Sequence, residues 1–320
     1  MQAEFQGGSV SEAMHFWLLL LRQDTKYTKF NIKRLRHLNR TSQSPVVASG
    51  GPVVSLTTFG PRLETVHLTI ESIGAGALLP SRLILWIQDS QTFQNRPQSV
   101  RNLEARGLEV RLTKEYRSHT KYFPYLLSND AFNGPLATAD DDVLYASWWL
   151  AGLAKAHDQD PTAIHCYRAH RMRLVNGAIN PYLKWQVCNS TTPSQLTFAT
   201  GSGGVIYPAE FLAHLKGAGD QFLTLCPKAD DVWLHVNALR AGFKIRQISH
   251  KRVEFPAIPG TEETGLFHSN WTQGNDEQIK KTYTAEDIAR LIAAGEQDER
   301  AGAPGERYTP ADPATGNGKS

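Results

Sequence analysis

The chain of 320 residues has little cysteine, which argues against two classes of protein. Its three cysteines, Cys166, Cys188 and Cys226, are far apart and form no Cys-x-x-Cys pair. That spacing argues against a disulfide framework and against a structural zinc site built on cysteine pairs. It is typical of a reducing compartment, so we expect a cytoplasmic protein.

Charge of one sign and long apolar runs are also lacking. The 34 basic and 31 acidic side chains leave a formal net charge of +3, which gives no reason to expect nucleic acid as a partner. The apolar run at residues 16–21 is far shorter than the roughly 20 residues that cross a bilayer. We therefore expect no membrane-spanning helix.

The first 45 residues form a basic segment in which cations alternate with aromatic and aliphatic side chains. One interpretation is an amphipathic helix on an anionic membrane surface, peripheral on the inner face of the plasma membrane. The other is a solvated helix that docks on the domain by its apolar face. Both stay open at this point. The cations are Arg22, Lys26, Lys29, Lys33, Arg34, Arg36 and Arg40.

The two ends of the chain are predicted to lie outside the folded domain, which we expect over residues 46–290. The last stretch, residues 291–320, is rich in Gly, Pro, Ala, Glu and Asp. Such a composition buries little apolar surface, and we expect a disordered tail.

Short apolar runs alternate with candidate helices within this domain. Residues 52–58 and 82–87 read as buried strands, residues 108–112 alternate like an edge strand, and a further strand begins at Leu136. Strands separated by helices predict an α/β fold with a central, mostly parallel sheet flanked by helices.

Ligands of such sheets bind beyond the carboxyl ends of the strands. Thr57, Asp89 and Asp140 each fall at such an end. The sequence therefore predicts a Rossmann-like nucleotide-binding edge.

Three consecutive carboxylates, Asp140, Asp141 and Asp142, follow the strand that begins at Leu136. Side chains alternate along an extended chain, so Asp140 and Asp142 share a face and Asp141 points away. A divalent cation with hard oxygen ligands, Mn²⁺ or Mg²⁺, would relieve the repulsion between them. The alternative is a solvated acidic turn.

A second acidic pair, Asp230 and Asp231, stands at the predicted start of a helix that ends near Gly242. Carboxylates are favourable at helix N-termini, and one of the two would suffice as a cap. Beside a metal–phosphate site, the other could act as a general base. The glycine-rich stretch at residues 198–208 is either a plain loop between strands or a loop that faces the substrate.

The order of these motifs resembles bacterial glycosyltransferases of the family-two-like GT-A type. The resemblance covers about residues 53–283 and lies in residues 54–58 with Arg62, 65–72, 84–86, 139–145, 203–208 and 226–234. It implies a GT-A fold, a nucleoside-diphosphate sugar as donor, a divalent metal, and inversion at the transferred sugar. A UDP-sugar is the expected donor, and a cell-surface or capsular glycan or a lipid-linked precursor is the expected acceptor.

The resemblance also implies roles for individual residues. Asp140 and Asp142 resemble the carboxylates that hold the metal and diphosphate, and Asp231 resembles the base, with Asp230 beside it. Many relatives have Glu-Asp where this chain has Asp-Asp, which leaves open which carboxylate is the base. The positions that surround the donor are Thr57, Arg62, Asp89, Lys121 and Asp141, and His268 is a further candidate metal ligand.

Two other functions use the same residues. A sugar-phosphate transferase or nucleotidyltransferase would need the Asp-x-Asp site but no base at Asp231. A nucleotide-sugar-binding protein would keep the fold without turnover.

Overall fold

The computed structural model describes residues 26–261 and 275–301. The apolar run at residues 16–21 and the candidate ligand His268 lie outside these ranges. The strands are β1 Val53–Thr57, β2 Arg82–Ile87, β3 Leu108–Leu112, β4 Leu136–Thr138, β5 Ile164–Cys166, β6 Ala169–Arg171, β7 Leu174–Val175, β8 Ala178–Ile179, β9 Gln186–Val187, β10 Thr197–Ala199, β11 Val205–Tyr207 and β12 Ile245–Gln247. The helices are α1 Lys26–Thr41, α2 Val66–Gly74, α3 Ser90–Gln94, α4 Gln98–Glu104, α5 Phe123–Leu127, α6 Trp149–Gln159, α7 Ala209–Ala218, α8 Phe222–Leu225, α9 Asp230–Arg240, α10 Asn275–Thr282 and α11 Ala285–Arg300.

A seven-stranded sheet in the order β12-β5-β11-β4-β1-β2-β3 forms the centre of the fold. Strand β1 lies parallel to both β2 and β4, and β3 lies parallel to β2 at the edge of the sheet. Strand β11 is antiparallel to both of its neighbours, β4 and β5. The predicted α/β fold with a mostly parallel sheet is confirmed, as is the edge position of β3.

Both faces of this sheet are covered, which explains why β2 is a continuous apolar run. Leu83 and Leu85 pack into a core with helix α2 and β1, whereas Ile84 and Trp86 point to the opposite core. That second core contains residues of α5, α7 and α9. Two small sheets complete the fold: one with β10, β6 and β9, and the hairpin β7–β8.

Helix α1 packs on the domain. Leu35 is fully buried in a small cluster with Leu68, and Asn39 donates to the Glu71 carboxylate at 3.1 Å. Glu71 also pairs with Arg106 at 2.6 Å in a buried salt bridge. For residues 26–41 the docked-helix interpretation therefore holds, and the predicted domain boundary at residue 46 is wrong.

The C-terminal segment also corrects a prediction. Helix α11 continues to Arg300, so disorder from residue 291 onward is wrong for its first ten positions. The side chain of Thr284 caps the helix in a capping box with Asp287, and Leu291 is fully buried. The polar composition of the stretch concealed these few apolar positions, which share one face of an amphipathic helix.

No helix within residues 26–261 and 275–301 is long and apolar enough to cross a membrane.

Candidate active site

The aspartate turn after β4 lies at the carboxyl ends of the parallel strands. The Ala139 amide still donates to the Ser55 carbonyl at 3.1 Å, so the turn begins where the β1–β4 pairing ends. Asp141 is buried and accepts hydrogen bonds from Thr58 Oγ1 and Arg62 Nη1, both at 2.7 Å. Asp141 is thus turned into the protein and shares Arg62 with Asp142; because residues 141 and 142 lie in a turn, the alternation of an extended chain does not set the directions of these side chains. The contacts of Asp141 hold Arg62 in place, and its nucleotide contact stays a prediction.

Asp140 and Asp142 are the partly exposed carboxylates of this turn. Asp140 Oδ1 pairs with Lys121 Nζ at 2.8 Å, and Asp142 Oδ2 pairs with Arg62 Nη2 at 2.8 Å. The Asp140 amide donates to the Tyr145 hydroxyl at 3.0 Å, which fixes the backbone of the turn. Burial raises the pKa of Asp142 to about 7; the Asp140 carboxylate adds to the rise, and Arg62 opposes it. The three carboxylates of the turn are thus paired with two cations, Lys121 and Arg62.

This donor set fits a divalent cation. Asp140 and Asp142 are hard oxygen donors that repel each other, and a cation between them would relieve that repulsion. Within the described residues, no three His, Cys, Asp or Glu side chains are arranged to hold a metal ion together. Mg²⁺ and similar cations commonly take one or two carboxylates plus water and substrate phosphates, which suits a two-carboxylate site.

Lys121 joins the two acidic pairs. It ends a 3₁₀ turn, Arg117–Lys121, and its ammonium lies 2.8 Å from Asp140 Oδ1 and 3.3 Å from Asp230 Oδ2. The Lys121 carbonyl accepts from Ser55 Oγ at 2.7 Å, which ties the lysine to strand β1. Burial alone would lower the pKa of Lys121, but the surrounding carboxylates raise it well above its usual value. The ammonium therefore stays charged.

Asp230 and Asp231 open helix α9 but do not cap it. Neither carboxylate accepts a hydrogen bond from the first turn of its own helix, so the predicted capping role is wrong. Asp230 turns to Lys121 instead, and Asp231 Oδ1 accepts from the Gly201 amide at 3.1 Å. Both carboxylates therefore contact groups on other segments rather than the amides of their own helix. One of these groups is the buried Lys121 ammonium. Burial raises the pKa of Asp231 to about 8; Asp230 adds to the rise, and Lys121 opposes it.

The glycine-rich loop between β10 and β11 is part of this cluster. A Cβ at Gly201 would lie 3.0 Å from Lys121 Nζ, 3.5 Å from Asp231 Oδ1 and 3.9 Å from Asp140 Oδ1. Gly201 therefore allows charged groups from three segments to approach one another. The loop lies beside the acidic cluster, and the interpretation that it faces the substrate stays a prediction.

Thr57 and Asp89 lie at the same edge of the sheet, at the ends of β1 and β2. Thr57 Oγ1 donates to the Trp86 carbonyl at 3.1 Å, and exposed Asp89 caps α3 by accepting from the Thr92 amide. No described hydrogen bond or ion pair joins either side chain to the aspartate turn. Their roles at the nucleotide stay predictions.

Several contacts that build the site were missed from the sequence, among them Thr58, Tyr145 and the Gly201 amide. Thr58 and Tyr145 lie in stretches that carry the resemblance, but the sequence predicts no role for either of them. The glycine-rich stretch was a usable signal for Gly201, but it did not indicate Asp231 as the partner.

No protein-family model matches the sequence, and no curated protein matches it. The solved structures that are weakly similar to this chain include the following three. A mannosyltransferase from Pyrobaculum calidifontis with GDP-Man and Mn²⁺ is 13% identical, with a TM-score of 0.49 over 91% of this chain and 85% of that one. GalNAc-T7 with UDP, GalNAc and Mn²⁺ is 12% identical, with a TM-score of 0.47 over 80% of this chain and 58% of that one. A CMP:2-keto-3-deoxy-manno-octonic acid synthetase complexed with CTP is 11% identical, with a TM-score of 0.35 over 62% and 88%. Similarity this weak does not identify the function of this chain.

Proposed function

We propose that the chain is a metal-dependent GT-A glycosyltransferase that moves a sugar from a nucleoside-diphosphate sugar to an acceptor hydroxyl, with inversion. One observation carries the proposal. Lys121 contacts both Asp140 and Asp230, and so brings a carboxylate pair suited to a metal next to the carboxylate pair at α9. A solvated acidic turn would not need a buried ammonium between two acidic segments.

The aspartate turn would serve the donor. Asp140 and Asp142 would hold Mn²⁺ or Mg²⁺, which when bound neutralises a leaving diphosphate as a Lewis acid. Lys121 and Arg62 lie against these carboxylates and stay charged, so they are placed to contact donor phosphates. Thr57, Asp89 and Asp141 would lie around the nucleotide, Asp141 through its contact with Arg62.

Asp231 would serve the acceptor. The Gly201 amide orients Oδ1, and within the described residues no hydrogen bond engages Oδ2. A raised pKa suits a general base, because the deprotonated carboxylate takes a proton more readily than an ordinary aspartate. A hydroxyl deprotonated opposite the leaving group attacks a centre with oxocarbenium character, and one displacement inverts it.

The finer expectations are part of this proposal. A UDP-sugar is the expected donor, and a surface glycan or lipid-linked precursor is the expected acceptor. Helix α1 supports peripheral attachment to an anionic membrane, because Tyr27 and Phe30 are exposed on it beside Lys33 and Arg34.

Product analysis with a panel of nucleotide sugars and Mn²⁺ tests the proposal. Glycosyl transfer releases a nucleoside diphosphate, and this release should require Asp142 and Asp231. Sugar-phosphate transfer would release a nucleoside monophosphate, and nucleotidyl transfer from a triphosphate would release pyrophosphate. Binding of a nucleotide sugar without release of any product would favour the non-catalytic function.

A further inference from the structure

The Arg168 guanidinium contacts the loop that contains Gly201. Arg168, directly after β5, donates from Nη1 to Thr200 Oγ1 at 3.1 Å and to Ser202 Oγ at 2.9 Å. These two hydroxyls flank Gly201, whose amide donates to Asp231. Arg168 and Asp231 are thus attached to neighbouring residues of one short loop.

The charge of Arg168 has no carboxylate partner within the described residues: both of its described side-chain bonds go to neutral hydroxyls. A second guanidinium, Arg252, lies close by, because the Val253 amide donates to the Tyr167 carbonyl at 3.1 Å. Arg252 pairs with Glu254 at 2.5 Å. Burial lowers the pKa of Arg252, and Arg168 adds to that effect. Arg168, Arg252 and Glu254 thus contribute two guanidinium groups and one carboxylate.

The pKa of the Tyr182 phenol is affected by both the Arg168 cation and the proposed base. Burial raises the pKa of Tyr182 to about 12; the Asp231 carboxylate adds to the rise, and the Arg168 guanidinium opposes it. Both charges therefore act on the same phenol. The ring packs on Trp185 and His170, at 5.0 and 5.5 Å between centroids.

We propose that Arg168 binds an anionic group of the acceptor, a phosphate or a carboxylate, while Asp231 receives the proton of its hydroxyl. This inference rests on the proposed function and names the class of acceptor. The donor diphosphate is the other possible source of the anion. The geometry favours the acceptor, because Lys121 and Arg62 already stand at the aspartate turn, whereas Arg168 contacts the loop that orients Asp231.

The test separates these two sources by filling the donor site first. Wild-type protein is saturated with Mn²⁺ and the nucleoside diphosphate that it binds best, and binding of inorganic phosphate and of glycerol 3-phosphate is then measured by calorimetry. We expect both anions to bind, glycerol not to bind, and Arg168→Gln to weaken the anions roughly 10- to 100-fold, the usual range for one charge-assisted hydrogen bond. Lys155→Gln removes an exposed charge on α6 and should change nothing.

Two further variants exclude a merely structural effect. Arg168→Lys keeps the charge and should retain most of the affinity for the anion. Ser202→Ala removes one hydrogen bond of the loop and should retain it too. If these variants lose as much affinity as Arg168→Gln, the guanidinium only shapes the loop and the proposal is overturned.

The remaining outcomes also decide the matter. Equal anion affinity in wild-type and Arg168→Gln protein overturns the inference and leaves the proposed function intact. If Arg168→Gln loses as much affinity for the nucleoside diphosphate as for phosphate, Arg168 belongs to the donor site. That result also overturns the inference. If phosphate binding depends on Arg168 but no nucleotide sugar is ever turned over, the anion site stands and the proposed function fails. With an active donor, Arg168→Gln should raise the KM of a phosphorylated acceptor more than the KM of a matched neutral acceptor.

Discussion

Replacing Lys121 by methionine removes the ammonium that pairs with Asp140 and Asp230 and keeps a side chain of similar length. The three side chains are only 11%, 24% and 10% exposed, so solvent screens little of the interaction. Removing one partner of a buried ion pair typically costs roughly 3–5 kcal/mol. We expect the low end, about 3 kcal/mol of unfolding free energy, because the more exposed Asp140 carboxylate can turn towards water.

A double-mutant cycle in urea, without metal at pH 7, measures this. Lys121→Met and Asp230→Asn should each destabilise the protein, and the double variant should lose about 1–2 kcal/mol less than their sum, within the range seen for residues in one charged network. Arg111→Met, which removes a more exposed cation paired with Glu109, is the control and should cost less than about 1 kcal/mol. If Lys121→Met stays within about 0.5 kcal/mol of wild type, or if the two losses simply add, Lys121 does not join the two acidic pairs.

Three further predictions concern the donor, the base and the surface. Asp142→Asn should fold normally but lose the Mn²⁺-dependent part of its affinity for nucleoside diphosphate, and unchanged calorimetry with Mn²⁺ would remove the residue from the metal site. The rate of transfer should increase as the pH rises through the raised pKa of Asp231, because the base acts in its deprotonated form. Asp230→Asn removes a neighbouring negative charge and should move this increase to lower pH. If the pH dependence of the rate does not move, Asp230 does not affect the pKa of Asp231. The double variant Lys33→Glu, Arg34→Glu should bind anionic vesicles more weakly by roughly 2 kcal/mol or more, at about 1 kcal/mol for each basic residue lost. Sedimentation with vesicles measures this, and equal sedimentation of wild type and variant would exclude this helix as a membrane contact.

The elements that could be predicted from the sequence are those with a local pattern. Strand β2 matches its apolar run at Arg82–Ile87 because both faces of a central strand are buried. The aspartate turn was placed correctly because the carboxyl ends of parallel strands meet at one edge. Helix α11 was missed, since its apolar positions are sparse in a polar stretch and become visible only at helical spacing.

The contacts that make the site could not be predicted in the same way. Lys121 and Asp230 are more than a hundred positions apart, and Gly201 meets Asp231 through a loop of no fixed pattern. The acidic start of α9 had a sufficient local explanation as a helix cap. Only the three-dimensional arrangement shows that its carboxylates turn to partners on other segments.

Asp231→Asn tests the central claim most directly, because it keeps the shape of the side chain and removes its basicity. The measurement is the rate of nucleoside-diphosphate release with the active donor and acceptor, beside the affinity for the donor with Mn²⁺. We expect the rate to fall roughly 10²- to 10⁴-fold, the range of general-base catalysis, with the donor affinity preserved. A rate close to that of the wild type would contradict the assignment of Asp231 as the base, and normal rates in both Asp231→Asn and Asp230→Asn would contradict the inverting mechanism.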